Sequence, residues 1–260
     1  MTGGPSDKRD GGPFAGVEAG LAPEAPFISH LREMRSRLIK SLLALAVGFA
    51  LAYKLARPIL DFLARPLKEA LPEGPGLIAT ALPDTFLVHL KIAFWGGFFL
   101  ASPLWLYQLW AFVAPGLYGR EKKGLKRLSF FGTVLLFSGA AFAYYVVIPI
   151  AFQFFVALGQ GEVTFLPAVR QYLGLVTGML AAFGLTFQMP LVLMFLASLG
   201  LVNAAHLRAF RRYAVLIIFI LAAVLTPPDV ISQVLLAIPM LVLYELSILL
   251  IGRAAGAEDR

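Results

Sequence analysis

The sequence contains no cysteine, which excludes disulfides and thiol chemistry. Charge is scarce: 14% of the 260 residues are charged, whereas a soluble domain carries about a quarter. Histidine is confined to His30, His89 and His206, far apart along the chain, so each reads as a surface or interface residue and no metal is expected. There is no G-x-x-x-x-G-K-[ST] phosphate loop and no H-E-x-x-H, and none of Ser102, Ser138, Ser198 and Ser247 sits in a G-x-S-x-G elbow. These absences argue against an ATPase, a zinc protease or an intramembrane hydrolase, and no cofactor is implied. No long stretch repeats between the two halves, so the inverted-repeat signature of many secondary transporters is not visible.

What is abundant is apolar. Hydrophobic residues make up 59% of the chain, 22 of them Phe, and the mean hydropathy is +0.81. They gather into uncharged runs long enough to cross a bilayer, so the expected fold class is an all-α membrane protein. Residues 1–26 are rich in Gly and Pro with scattered charges and read as a disordered tail, without the pattern of a secretory signal peptide. Six spans are expected: 38–56, 92–113, one from about 128, one from after Arg170 to about 200, 213–226 and 230–244. The last two are short, ended by Pro227 and by Glu245; 14 helical residues cover about 21 Å against a hydrocarbon thickness of about 30 Å, which would thin the bilayer locally. Between the first two spans, 57–84 reads as an external loop with short helical pieces, and 252–260 as a cytoplasmic tail.

Lysine and arginine set the orientation. Thirteen lie beside spans on the side of the N-terminus, among them Arg32, Arg35, Arg37, Arg120, Arg127, Arg208 and Arg253, against six on the other. The positive-inside rule then places both termini in the cytoplasm, and the net charge of +7 reports cytoplasmic loops rather than nucleic acid.

Pro103, Pro149, Pro190 and Pro239 fall inside four spans, where each removes a backbone donor and kinks the helix; kinked helices suit a concave wall. Gly174 and Gly178, four apart on one helical face, would admit a close neighbour. Two acids stand in basic segments. Glu33 is spaced for an i,i+4 pair with Arg37 and Glu121 for a solvated loop charge, or the two carboxylates receive guanidinium groups of a ligand through bidentate bonds.

The residues around these acids, together with two other strings, resemble a known family. Phe27-Ile28-Ser29-His30-Leu31-Arg32-Glu33-Met34-Arg35-Ser36-Arg37-Leu38, the run from Pro103-Leu104-Trp105 through Ala114-Pro115-Gly116-Leu117-Tyr118 with Glu121, and Leu225-Thr226-Pro227-Pro228-Asp229-Val230-Ile231-Ser232-Gln233 followed by Ala237-Ile238-Pro239-Met240 resemble TatC, the polytopic subunit of the twin-arginine translocase. The resemblance covers 27–251. It implies a non-enzymatic receptor and scaffold in the cytoplasmic (inner) membrane, binding arginine-pair signal peptides of folded cargo, assembling with the single-span TatA and TatB and with further copies of itself, and using the proton gradient. Within it, Glu33 and Glu121 match the acids associated with arginine-pair recognition, with Arg35 and Phe112 in the adjoining motifs. Pro66 matches a proline of the first external loop, Asp229 and Gln233 polar positions of the turn into span six, and Glu245 an acid near the inner end of that span. One position departs: Gln188, in Phe183-Gly184-Leu185-Thr186-Phe187-Gln188-Met189-Pro190, stands where many members carry Glu. An amide cannot relay protons, so Gln188 either docks a polar residue of a partner's span or satisfies a carbonyl freed near Pro190. The reading from another class is an ion-coupled solute transporter, which needs polar side chains converging at the midplane; only Gln188 qualifies clearly.

The charge asymmetry generates a test of topology. Single cysteines at Gly74 and Gly161 are expected to react with an impermeant thiol reagent added outside intact cells, and one at Gly124 to be protected; labelling at Gly124 would overturn the orientation.

Overall fold

An apolar chain in a bilayer has no water to satisfy its backbone, so its runs must become helices. The computed structural model describes residues 26–70, 76–113, 122–159, 166–225 and 230–258. Ten α-helices occur among them: α1 Pro26–Lys54, α2 Ala56–Ala70, α3 Asp84–Leu100, α4 Ser102–Val113, α5 Lys122–Phe142, α6 Ile148–Gly159, α7 Val169–Thr186, α8 Met189–Ser198, α9 Ala204–Leu225 and α10 Val230–Glu258. A π-helical turn, Ala143–Val147, joins α5 to α6. The sole β-type pairing among the described residues is an isolated parallel bridge between Ile78 and Ala168, which ties the loop before α3 to the loop before α7.

The prolines mark most of the breaks. Pro103 is the second residue of α4, and α3 and α4 meet at a 57° bend. Pro149 follows the π turn, a local widening that accommodates a missing donor. Pro190 sits in the first turn of α8, just after α7 ends. In each case the ring falls where a helical N–H is dispensable. Pro239 differs, lying inside α10 without ending it.

Among the described residues four helical segments are long and apolar enough to cross a membrane, five if the bent α3–α4 pair is one span. The six-span count is therefore not reached on this ground: α9 holds Arg208, Arg211 and Arg212 in its first half. The expectation of a short sixth span is corrected: α10 offers a crossing segment of 24 residues, Val230–Arg253, about 36 Å long at 1.5 Å per residue. α9 runs for 22 residues, its long uncharged run confined to those after Arg212. Glu245 ends the apolar run but not the helix, and pairs with Arg211 of α9 at 2.6 Å.

The core is built around Ile92 of α3, Val147 of the π turn, Ile148 of α6, Leu173, Val176 and Phe183 of α7, Ile218 of α9, and Leu236 and Met240 of α10. Small residues set its closest approaches, at sites other than Gly174 and Gly178. A Cβ on Gly97 would stand 2.5 Å from the Phe49 backbone nitrogen, and one on Gly48 2.7 Å from the Gly97 carbonyl, so α1 and α3 cross in backbone contact. Gly139 likewise abuts the Phe183 carbonyl. Gly178 has nothing within 4 Å, and Gly174 meets only the Lys91 ammonium.

Gly97→Val is accordingly expected to destabilise the protein in detergent by about 1–3 kcal/mol, the scale of overpacking. Gly178→Ala should melt at or above the wild-type temperature, since alanine is favoured over glycine in a helix by about 0.8–1 kcal/mol. Equal thermal melting of Gly97→Val and the wild type would contradict the crossing.

Candidate functional site

The polar residues singled out in the sequence divide between two ends and one middle layer of the bundle. Glu33 sits in the second turn of α1, and its Oε1 accepts Arg37 Nη2 at 2.6 Å and Nε at 2.9 Å. The i,i+4 pair is thus formed. Both bonds fall on one oxygen, and the Glu33 side chain stays 42% exposed. Arg35 is exposed on the same helix and Phe112 half-buried near the end of α4. Glu121 and Asp229 lie outside the described residues, as does the tail before Pro26.

Gln188 occupies the break between α7 and α8, 8% exposed. Its Nε2 donates to the Gly132 carbonyl of α5 at 2.8 Å, made possible because Gly132 carries no side chain: a Cβ there would stand 3.3 Å from Gln188 Oε1. The amide therefore stitches the α7–α8 break to α5, and the carbonyl it satisfies is not one freed by Pro190. Its Oε1 has no hydrogen-bond partner among the described residues.

Gln233 and Glu245 bind inward as well. Gln233 Nε2 donates to the Phe219 carbonyl at 3.1 Å, and the Arg211–Glu245 pair lies beside Tyr244, whose hydroxyl donates to the Leu207 carbonyl at 2.8 Å. All three bonds clamp α10 to α9.

Pro66 is buried inside the amphipathic α2. Its exposed face carries Arg57, Asp61, Arg65, Lys68 and Glu69, while Ala56, Leu63, Ala64 and Leu67 face the bundle. Having no N–H, Pro66 leaves the carbonyl four residues earlier, Phe62, without its helical donor. Tyr144 of the π turn supplies one: its hydroxyl donates to that carbonyl at 2.6 Å, and its ring stacks on Phe62 with centroids 4.3 Å apart. Tyr172 of α7 donates to the next carbonyl, Leu63, also at 2.6 Å. The proline is thus the reason α2 can be held by tyrosines of the core.

Sequence reasoning missed one acid. Asp84 opens α3, is 1% exposed, and its Oδ2 accepts from the Thr80 amide and hydroxyl and from the Ala81 amide at 2.8–3.0 Å. Arg170, at the start of α7, approaches Oδ1 to 3.8 Å. The local signal was present, a Pro-Asp pair just before an apolar run, but the partner from α7 was not. Among the described residues no three His, Cys, Asp or Glu gather as metal ligands would.

Apolar helices of crossing length, broken at prolines and stitched by side-chain donors, define a multi-pass membrane protein. Residues 29–239 match the family model described as TatC, Sec-independent protein translocase protein, and the chain belongs to the TatC family. The protein named Sec-independent protein translocase protein TatC from Magnetococcus marinus is 43% identical over 225 residues, covering 86% of this chain and 83% of that one. Its namesakes from Aquifex aeolicus and Escherichia coli are 40% and 35% identical, each over 90% of this chain. A crystal structure described as the twin arginine translocase receptor TatC in DDM is 38% identical, covers 85% of this chain and 99% of its own, and superposes with a TM-score of 0.78. The relatives' names are those of translocase proteins and receptors, not of enzymes.

Replacing Gln188 by Leu keeps the volume and removes the bond to Gly132. The expected loss is about 0.6–1.7 kcal/mol, the range of interhelical hydrogen bonds in bilayers, read as a lowered melting temperature in detergent. An unchanged melt would mean that the stitch contributes nothing.

Proposed function

We propose that the protein is the receptor and scaffold subunit of a twin-arginine translocase in the cytoplasmic membrane, with six spans and both termini inside. It binds arginine-pair signal peptides of folded proteins, and with TatA, TatB and further copies of itself moves them at the expense of the proton gradient. The observation that carries this reading is the 38% identical solved receptor that superposes along nearly its whole length.

Glu33 and Glu121 are the proposed peptide carboxylates, with Arg35 and Phe112 beside them. The Glu33–Arg37 pair supports a specific form of recognition. Arg37 occupies Oε1 alone, so an incoming guanidinium either adds to the carboxylate or exchanges with Arg37. Such exchange replaces one charge-assisted pair at the carboxylate by another and releases the Arg37 guanidinium. The bent α3–α4 pair and the broken α7–α8 pair are the proposed concave wall above this end. Of the positions considered for partner docking, Gln233 and Glu245 are occupied by internal bonds and read as structural. Gln188 retains an unpartnered acceptor, and a polar residue of a TatA or TatB span is its proposed second occupant.

Binding of a twin-arginine signal peptide to the purified protein tests the reading. Glu33→Gln or Glu121→Gln should weaken it by about 1.5–3 kcal/mol, the worth of a hydrogen bond to a charged group. Lysine in place of either ligand arginine should also be costly, since ammonium cannot make the planar fork. Undiminished binding by the variant carrying both glutamine substitutions would refute the assignment.

A further inference from the structure

At the end of the bundle where α1 finishes and α3 and α7 begin, Phe49, Leu87, Val88, Leu90, Phe94 and Trp95 line a groove of about 520 Å³. Leu87, Lys91 and Trp95 follow at four-residue intervals and so share one face of α3, while Phe49 of α1 closes the opposite wall. Two cations, Lys91 and Arg170, also line the groove. Lys91 is half-buried, and its Nζ sits 3.3 Å from where Gly174 would carry a Cβ. Arg170 lies one turn earlier on the same face of α7, 58% exposed. The absence of a side chain at Gly174 is what lets the ammonium lie against α7 one turn from the guanidinium.

The charges here do not balance. Among the described residues, Asp84 is the carboxylate paired with a cation of this groove, loosely, with Arg170 at 3.8 Å, and its other oxygen already accepts three hydrogen bonds. Among the described residues no carboxylate pairs with Lys91. A half-buried ammonium above six apolar side chains is costly unless an anion joins it. The apolar lining belongs to the first three turns of a membrane-crossing pair, so an anion that arrives there with a hydrocarbon chain satisfies both halves of the site.

We propose that this groove is a binding site for an anionic phospholipid: one acyl chain lies along Leu87, Leu90, Phe94 and Trp95, and the phosphate is received by Lys91 and Arg170. A zwitterionic lipid brings its own cation to a site that already has an excess of one, which disfavours it. The site is independent of the signal-peptide reading, because it lies at the other end of α1 from Glu33.

Trp95 is a built-in reporter. The full-length protein is reconstituted in nanodiscs of phosphatidylcholine containing a minor fraction of either brominated phosphatidylglycerol or brominated phosphatidylcholine, and the Trp95 contribution is isolated by subtracting the Trp95→Phe variant. Brominated phosphatidylglycerol is expected to quench Trp95 severalfold more than brominated phosphatidylcholine at the same fraction, and Lys91→Gln with Arg170→Gln to abolish the difference. Lys91→Arg should preserve it. If the double variant does not fold, Lys91→Gln alone is measured and should reduce the preference. Equal quenching by the two lipids, a preference that survives loss of both cations, or its elimination by added inorganic phosphate would each overturn the proposal.

Discussion

Everything in this fold depends on keeping the backbone hydrogen-bonded in a medium without water. An unpaired carbonyl or amide in hydrocarbon costs several kcal/mol, yet this chain places prolines in or beside most of its crossing segments. A ring at a helix start falls where the N–H is dispensable, but one inside a helix frees a carbonyl that needs another donor. At Pro66, in α2 and outside the crossing segments, that donor is Tyr144, whose hydroxyl covers the freed Phe62 carbonyl. At the α3–α4 bend the Trp105 indole donates to the Phe98 carbonyl at 3.0 Å, and Ser129 of α5 donates to the Pro103 carbonyl at 2.9 Å. At the α7–α8 break the Gln188 amide reaches across to the Gly132 carbonyl of α5, which is not one freed by Pro190. Side-chain bonds from neighbouring segments thus gather at the breaks, and at Pro66 such a bond covers the carbonyl that the proline itself frees.

This explains how a bundle of interrupted helices can still be specific. Helices in lipid gain little from burying apolar surface against one another, so close backbone approach and interhelical hydrogen bonds do the sorting. Gly97 against Phe49 and Gly139 against Phe183 provide the first; Tyr144, Tyr172, Tyr244, Gln188 and Gln233 provide the second. The outer helix α1, by contrast, leaves Leu38, Leu42, Leu43 and Val47 exposed, as a lipid-facing or partner-facing surface does.

Much of this was legible in the sequence. The uncharged runs marked the helices, the prolines marked three of the breaks, and the Glu33–Arg37 spacing foretold their pair. The three family strings named the family before any geometry was known. What was not legible is what depends on contacts distant along the chain. Tyr144 and Phe62 are 82 residues apart, and nothing near Pro66 says which side chain will reach it. Asp84 was passed over because its cation, Arg170, comes from another helix. The shortness assigned to the sixth span failed because a charge such as Glu245 ends an apolar run without ending a helix. Gly174 and Gly178 had the right spacing for a crossing, but only the Lys91 side chain of α3 comes against the first and nothing lies within 4 Å of the second.

The central claim, that a proline's orphaned carbonyl is satisfied by a side chain from another helix, is tested most directly by a double-mutant cycle at Pro66 and Tyr144, followed by unfolding in detergent. In the wild-type background Tyr144→Phe removes the donor to the part-buried Phe62 carbonyl, an expected cost of about 0.5–1.5 kcal/mol, the net worth of a hydrogen bond. In the Pro66→Ala background position 66 regains its N–H and can close the helical bond to Phe62, so the same Tyr144→Phe change should cost at least about 0.5 kcal/mol less, the lower end of coupling between residues in contact. An identical cost in the two backgrounds would contradict the account.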